Sequence, residues 1–177
     1  PSGVISSSTT VSPAYYHQFY VTLNFNIIGG GSGYSAPTVL YTQFGSTTHI
    51  DAGSSVWIDA ESTYSYPPQL AGSTSDERWF TPSPSGVISS STTVSPAYYH
   101  QYLVSVGYSL VGGGFPSAPT FSGTSLGSPI AQVLSFAGQR IWLDSGTTYT
   151  VTNPLPGSTA TERWAAVGPV SGTISSA

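Results

Sequence analysis

The sequence predicts an all-β protein: two tandem immunoglobulin-like β-sandwich domains, with an N-terminal strand that pairs with a neighbouring unit. Three observations carry this prediction. The first is an internal repeat. The run PSGVISSSTTVSPAYYHQ starts at Pro1 and again, without a change, at Pro84. Self-similarity at a fixed period makes a fold an array of like units. The second is a set of runs, rich in β-branched and aromatic residues, that alternate apolar and polar as half-buried strands do. The third is punctuation. With 20 Gly and 14 Pro, turn signals recur every few residues, and no run carries a capped 3.6-residue apolar stripe.

Taken in order, residues 1–12 read as a strand that completes a preceding or neighbouring repeat. An orphan strand is an exposed edge, and strand addition is a way to cover it. A clipped third copy supports this reading. Ser171-Gly172-Thr173-Ile174-Ser175-Ser176 echoes Ser85-Gly86-Val87-Ile88-Ser89-Ser90. The unit therefore begins at the Tyr-Tyr-His-Gln strand and ends with the Ser-Gly-Val-Ile-Ser-Ser strand. The first repeat spans positions 13–95 and the second spans positions 96–177.

In the first repeat, positions 20–27 alternate as a single strand, and positions 102–110 are the counterpart in the second. Gly29-Gly30-Gly31 and Gly112-Gly113-Gly114 follow as tight or bulged turns, since glycine tolerates positive φ. A phosphate cradle is a weak reading of them, because no Lys-Ser/Thr and no helix follows. Residues 56–59 and 141–144 read as short apolar strands, and residues 149–152 alternate again. The Trp57, Gly72 and Glu77 motifs recur at Trp142, Gly157 and Glu162. That interval is longer by two than the one between Pro1 and Pro84. The drift predicts a two-residue insertion between positions 45 and 57 and their counterpart, 127–139, in a surface loop.

Composition narrows the function classes. Hydrophobic residues make up 38% and aromatic residues 13%, too many for disorder. Charged residues make up 6%, against roughly 25% in an average soluble protein. The net charge is −4, and the only cations are Arg78, Arg140 and Arg163. That excludes a clustered basic surface, so nucleic acid is not an expected partner. No run approaches the roughly 20 apolar residues of a membrane span. Cys is absent, which removes disulfides, thiolate metal sites and thiol catalysis. Met is absent too, as suits an exposed protein that avoids oxidisable side chains. Few titratable groups predict a stability only weakly linked to pH.

The candidate site residues fall into three groups. Tyr15-Tyr16-His17-Gln18 and Tyr98-Tyr99-His100-Gln101 place one Tyr with Gln on one strand face, and the other Tyr with His on the opposite face. One such His per unit is too few for a zinc site without distant carboxylates, so the expected role is structural, at a sheet edge or domain junction. Glu77-Arg78-Trp79 and Glu162-Arg163-Trp164 place an Arg where a carboxylate fork is expected. Asp59, Asp144 and the adjacent Glu are the candidate partners. An acid–base pair of Asp59 with Glu77, as in glycoside hydrolysis, is the catalytic alternative. Trp57, Trp79, Trp142 and Trp164 are expected to anchor the cores, or to stack on sugars if exposed. A Thr–Gln ester staple at Gln18 or Gln101 is a further candidate.

The order Ser-Gly-x-Ile-Ser-Ser, Tyr-Tyr-His-Gln, Gly-Gly-Gly, Ala-Pro-Thr, Trp-x-Asp, Gly-Ser-Thr, Glu-Arg-Trp resembles the tandem repeats of very long archaeal cell-surface proteins. The second repeat departs at Phe121-Ser122-Gly123-Thr124, where the first has Tyr41-Thr42-Gln43-Phe44. The resemblance implies secreted stalks, adhesins or filaments, with no assigned catalytic residue. The expectation is a non-enzymatic structural segment of an extracellular filament or cell-surface stalk. It needs no cofactor or metal, and its partners are further copies of itself and, if it acts as an adhesin, surface glycans.

Overall fold

The computed structural model describes residues 10 and 12–176. The strand expected over residues 1–12 lies almost wholly outside the described residues. Among the described residues the chain is all-β, with fifteen strands and no helix. The first repeat contributes β1 (Gln18–Leu23), β2 (Asn26–Ile28), β3 (Thr38–Gln43), β4 (Ser46–Asp51), β5 (Ser54–Asp59), β6 (Thr63–Ser65), β7 (Glu77–Phe80), β8 (Ser85–Val87) and β9 (Thr93–Val94). The second contributes β10 (Ala97–Val106), β11 (Thr120–Ser125), β12 (Ser128–Val133), β13 (Gln139–Asp144), β14 (Thr148–Val151) and β15 (Ser171–Thr173).

In the first repeat the sheets β5-β1-β9 and β4-β3-β6-β8 share one core. Val21, Leu23 and Ile58 from one sheet meet Val39 and Tyr41 from the other. Two sheets covering one apolar layer make a sandwich. In the second repeat the sheet β12-β11-β14-β15 covers the β10–β13 pair, around Phe121, Leu143 and Ile174. No helix among the described residues is long and apolar enough to cross a membrane.

The Ser-Gly-Val/Thr segments do pair with the sheet that precedes them. β8 is antiparallel to β6, and β15 is antiparallel to β14 in the same relative register. β9 adds a short parallel pairing to β1.

Two expected strands are corrected. The run 20–27 is not one strand, because it breaks between β1 and β2 at Asn24-Phe25. There the backbone changes partner. Asn24 N–H donates to Val94 O at 2.8 Å and Asn26 N–H to Pro96 O at 3.0 Å. The run 102–110 ends at Val106 and starts earlier, at Ala97. Residues 109–111, the counterpart of β2, are irregular.

The length difference lies within the expected window, but its size is corrected. Gly31 aligns with Gly114, Gly45 with Gly127, and Gly53 with Gly138. The interval between copies shortens by one over the first step, which sets Phe121–Thr124 at the place of Val39–Thr42 rather than Tyr41–Phe44, and lengthens by three over the second. The insertion therefore sits in the link from β12 to β13, and a single-residue deletion precedes it, after Gly114.

The β3–β4 and β11–β12 hairpins turn through Phe44-Gly45 (φ 52° and 74°) and Leu126-Gly127 (φ 52° and 72°). Positive φ at both central positions marks a type I′ turn. Bulky residues in the left-handed region are strained. Glu61, at φ 58°, is strained in the same way, and its counterpart is Gly146. Glu61 is exposed, so Glu61→Gly is expected to raise stability by up to about 1 kcal/mol in denaturant unfolding. A loss of stability would show that the Glu side chain contributes more than its strain costs.

Candidate functional site

β10 is the strand that contains the repeated Tyr-Tyr-His-Gln, and it belongs to both repeats. Ala97–Tyr99 run parallel to β2, in register with Asn26–Ile28. Tyr99, His100, Gln101 and Tyr102 pair antiparallel with Phe80, Trp79, Arg78 and Glu77. Gln101–Val106 pair with β13 of the second repeat. The two most distinctive motifs of the sequence thus meet face to face at the junction between the copies.

The side chains interlock in that register. Tyr98 is 0% exposed, and its hydroxyl donates to Pro67 O at 2.6 Å. Burial pushes its phenol up to about 12. The His100 ring stacks on Trp79, centroids 4.6 Å apart and nearly parallel. His100 Nε2 lies 2.7 Å from Glu77 Oε1, and a carboxylate only accepts, so Nε2 carries the proton. Trp79 Nε1 donates to Gly30 O at 3.1 Å.

Gly31 lies against these rings, where an added Cβ would stand 2.7 Å from the His100 ring. That contact, as well as its φ of 90°, requires glycine there. The Gly-Gly-Gly run is legible in the sequence as a turn, but the packing of Gly31 is not.

Arg78 departs from expectation. It makes no fork with Asp59. Its Nε and Nη2 both donate to Gln101 Oε1, at 2.9 and 2.7 Å. The guanidinium lies between the Phe80 and Trp142 rings, 4.4 and 4.2 Å from their centroids. Burial lowers its pKa, and the Asp144 charge opposes that shift. Gln101, itself 0% exposed, passes the contact onward: its Nε2 donates to Asp144 Oδ1 at 2.8 Å and to Ser125 Oγ at 3.1 Å. A neutral amide can face a cation and a carboxylate at once, because its two ends are an acceptor and a donor. Among the described residues, neither Gln18 nor Gln101 is hydrogen-bonded to a Thr. Arg140 and Asp76 add an exposed ion pair between the copies.

Asp144 and Asp59 do the same work in each repeat. Asp144 accepts from the turn N–H groups of Leu126 and Gly127 at 2.9 and 2.7 Å. Asp59 accepts from Phe44 and Gly45 N–H at 3.0 and 2.7 Å, and from Gln18 Nε2 at 2.7 Å. Each carboxylate pins a strained hairpin turn. The second Tyr of the motif covers that turn, Tyr16 against Gly45 and Tyr99 against Gly127. Asp59 and Glu77 therefore have separate partners and share none.

Burial alone would raise the Asp59 carboxyl. The Gly45 N–H, the Gln18 amide and the Phe44 N–H outweigh it, and the group is held below its ordinary 3.8. A lowered folded pKa contributes stability above the unfolded value and loses it as pH falls through the folded one. The unfolding midpoint is expected to stay flat from pH 7 to about 4.5 and to fall below about pH 4, with Asp59→Asn reducing that acid limb. A steep loss between pH 7 and 5 would contradict this assignment.

The same letters elsewhere in the chain are placed differently. Tyr15 is 91% exposed and His17 is exposed. Gln18 holds Asp59, and no Arg reaches it among the described residues. Trp57 is half exposed and tilts against Tyr20 at 5.2 Å. At the other end, Glu162, Arg163 and Trp164 form no strand. Trp164 still donates to Gly113 O at 3.1 Å, as Trp79 does to Gly30.

No family model, no curated protein and no solved structure matches this chain. Among the described residues, no group of three or more His, Asp or Glu is placed to hold a metal ion. Every buried polar side-chain atom among them has a partner. The arrangement locks one repeat onto the next through a backbone pairing, an aromatic stack and a relay from Arg78 through Gln101 to Asp144.

Proposed function

We propose that this chain is a structural segment of an extracellular filament or cell-surface stalk, built from immunoglobulin-like sandwiches. One observation carries the reading: the leading strand of the second repeat is a strand of the first as well, across Ala97–Tyr102. Backbone pairing along the chain, backed by a buried relay, transmits load between units without a hinge. The resemblance to archaeal cell-surface repeats and the lack of Cys, Met and Lys fit an exposed, chemically inert material. Negative-stain electron microscopy of native material, with its intact mass, tests the proposal. Strings of repeats at the cell surface are the expected result, and isolated soluble particles would overturn it.

A second reading rests on the exposed Tyr20–Trp57 pair, whose faces would suit sugar stacking. On that reading the chain is a carbohydrate-binding adhesin module. Binding to a glycan array that is lost in Trp57→Ala would favour it.

A further inference from the structure

Among the described residues, nothing covers the surface of the second repeat that corresponds to the one by which the first receives the next leading strand. In the first repeat that strand is held along three stretches: residues 22–26, β2 and β7. By sequence alignment of the copies, the counterparts are residues 105–109, 109–111 and 162–165. The last two form no strand. Two openings follow this track. One, of about 340 Å³, lies between Val104, Val106, Phe121 and Ile174. The other, of about 500 Å³, lies between Leu110, Val111, Val151 and Trp164. In the first repeat the equivalent space is closed by β9 and by Tyr98. At the opposite end of the chain, Tyr15, Tyr16, His17 and Gln18 carry the same letters as the strand that closes it.

We propose that these two surfaces are complementary, so that a second copy of this chain docks head to tail. The proposal rests on the structural reading above and names its partner and register. Ala14–Tyr16 of the second copy pair beside Ser109–Val111, and Tyr16–Phe19 pair with Ala165–Glu162. His17 stacks on Trp164 and faces Glu162. Arg163 donates to Gln18 Oε1, whose Nε2 is already turned to Asp59. Tyr15 fills the larger opening. Tyr15, 91% exposed, then lies opposite Leu110, as the buried Tyr98 lies opposite Ile27. A contact between different surfaces propagates rather than pairing off, and yields a filament unless its rotation closes a ring. It is weaker than the internal junction, because Ala165 stands where Phe80 covers Arg78.

The test uses the full chain and a labelled peptide of residues 7–19. The peptide is expected to bind the chain, with Arg163→Glu weakening it at least about tenfold. Tyr15→Asp and Arg163→Glu chains are each expected to stay monomeric in sedimentation velocity. An equimolar mixture should give dimers and stop there, since one good head meets one good tail. Circular dichroism checks that both variants are folded. Peptide binding unchanged by Arg163→Glu, or no binding at millimolar peptide, would overturn the dock. Native filaments with no peptide binding would leave the structural reading standing and remove the dock, whereas binding without native filaments would do the reverse.

Discussion

Trp79→Ala is expected to destabilise the protein by about 3–5 kcal/mol, and Trp164→Ala by about 1 kcal/mol. The two residues share a motif and an indole hydrogen bond to the middle glycine of the preceding Gly-Gly-Gly. Only Trp79 is 1% exposed, sealed by His100 on one face and Tyr34 beside it. Removing it opens a cavity that the strand pairing of β7 with β10 prevents from collapsing. Trp164 has no ring stacked over it among the described residues, so less is lost. Guanidinium unfolding of the two variants measures the difference. Equal losses would mean that the junction contributes nothing beyond the fold of each repeat.

The second large effect is expected at Gln101. Gln101→Leu keeps the volume but removes the relay, stranding the Arg78 guanidinium and one side of Asp144. Breaking one member of a buried charged network costs about 3–5 kcal/mol. Gln18→Leu removes one hydrogen bond at a half-buried site and costs about 0.5–1.5 kcal/mol. Both substitutions fall within the same repeated run, so local sequence cannot account for a difference between them. A Gln101→Leu loss no larger than that of Gln18→Leu would show that desolvation cancels the Arg78–Gln101–Asp144 contact.

Much of this was legible from the residues. The alternation over residues 20–27 marked β-structure, although not the break at Asn24, because the change of pairing partner leaves no trace in apolar periodicity. Trp57-Ile58-Asp59 and its copy marked β5 and β13, while the β3–β4 hairpin was missed. Its turn is Phe44-Gly45 rather than Asn-Gly, and the Asp59 carboxylate that holds it lies 14 residues downstream of Gly45. The Arg78 partner is not legible in the sequence for a related reason. Opposite charge suggests a direct fork, but the register that places Gln101 across from Arg78 belongs to the next repeat.

The sequence by itself determined the β character and the repeat, because these depend on side-chain type and spacing along one strand. Only the tertiary structure decided which instance of each motif is buried. Tyr98 and Tyr15 have identical neighbours in the chain, yet one is sealed and the other open to water. Burial depends on which strand lies alongside, and that is fixed by pairing between residues far apart in the sequence.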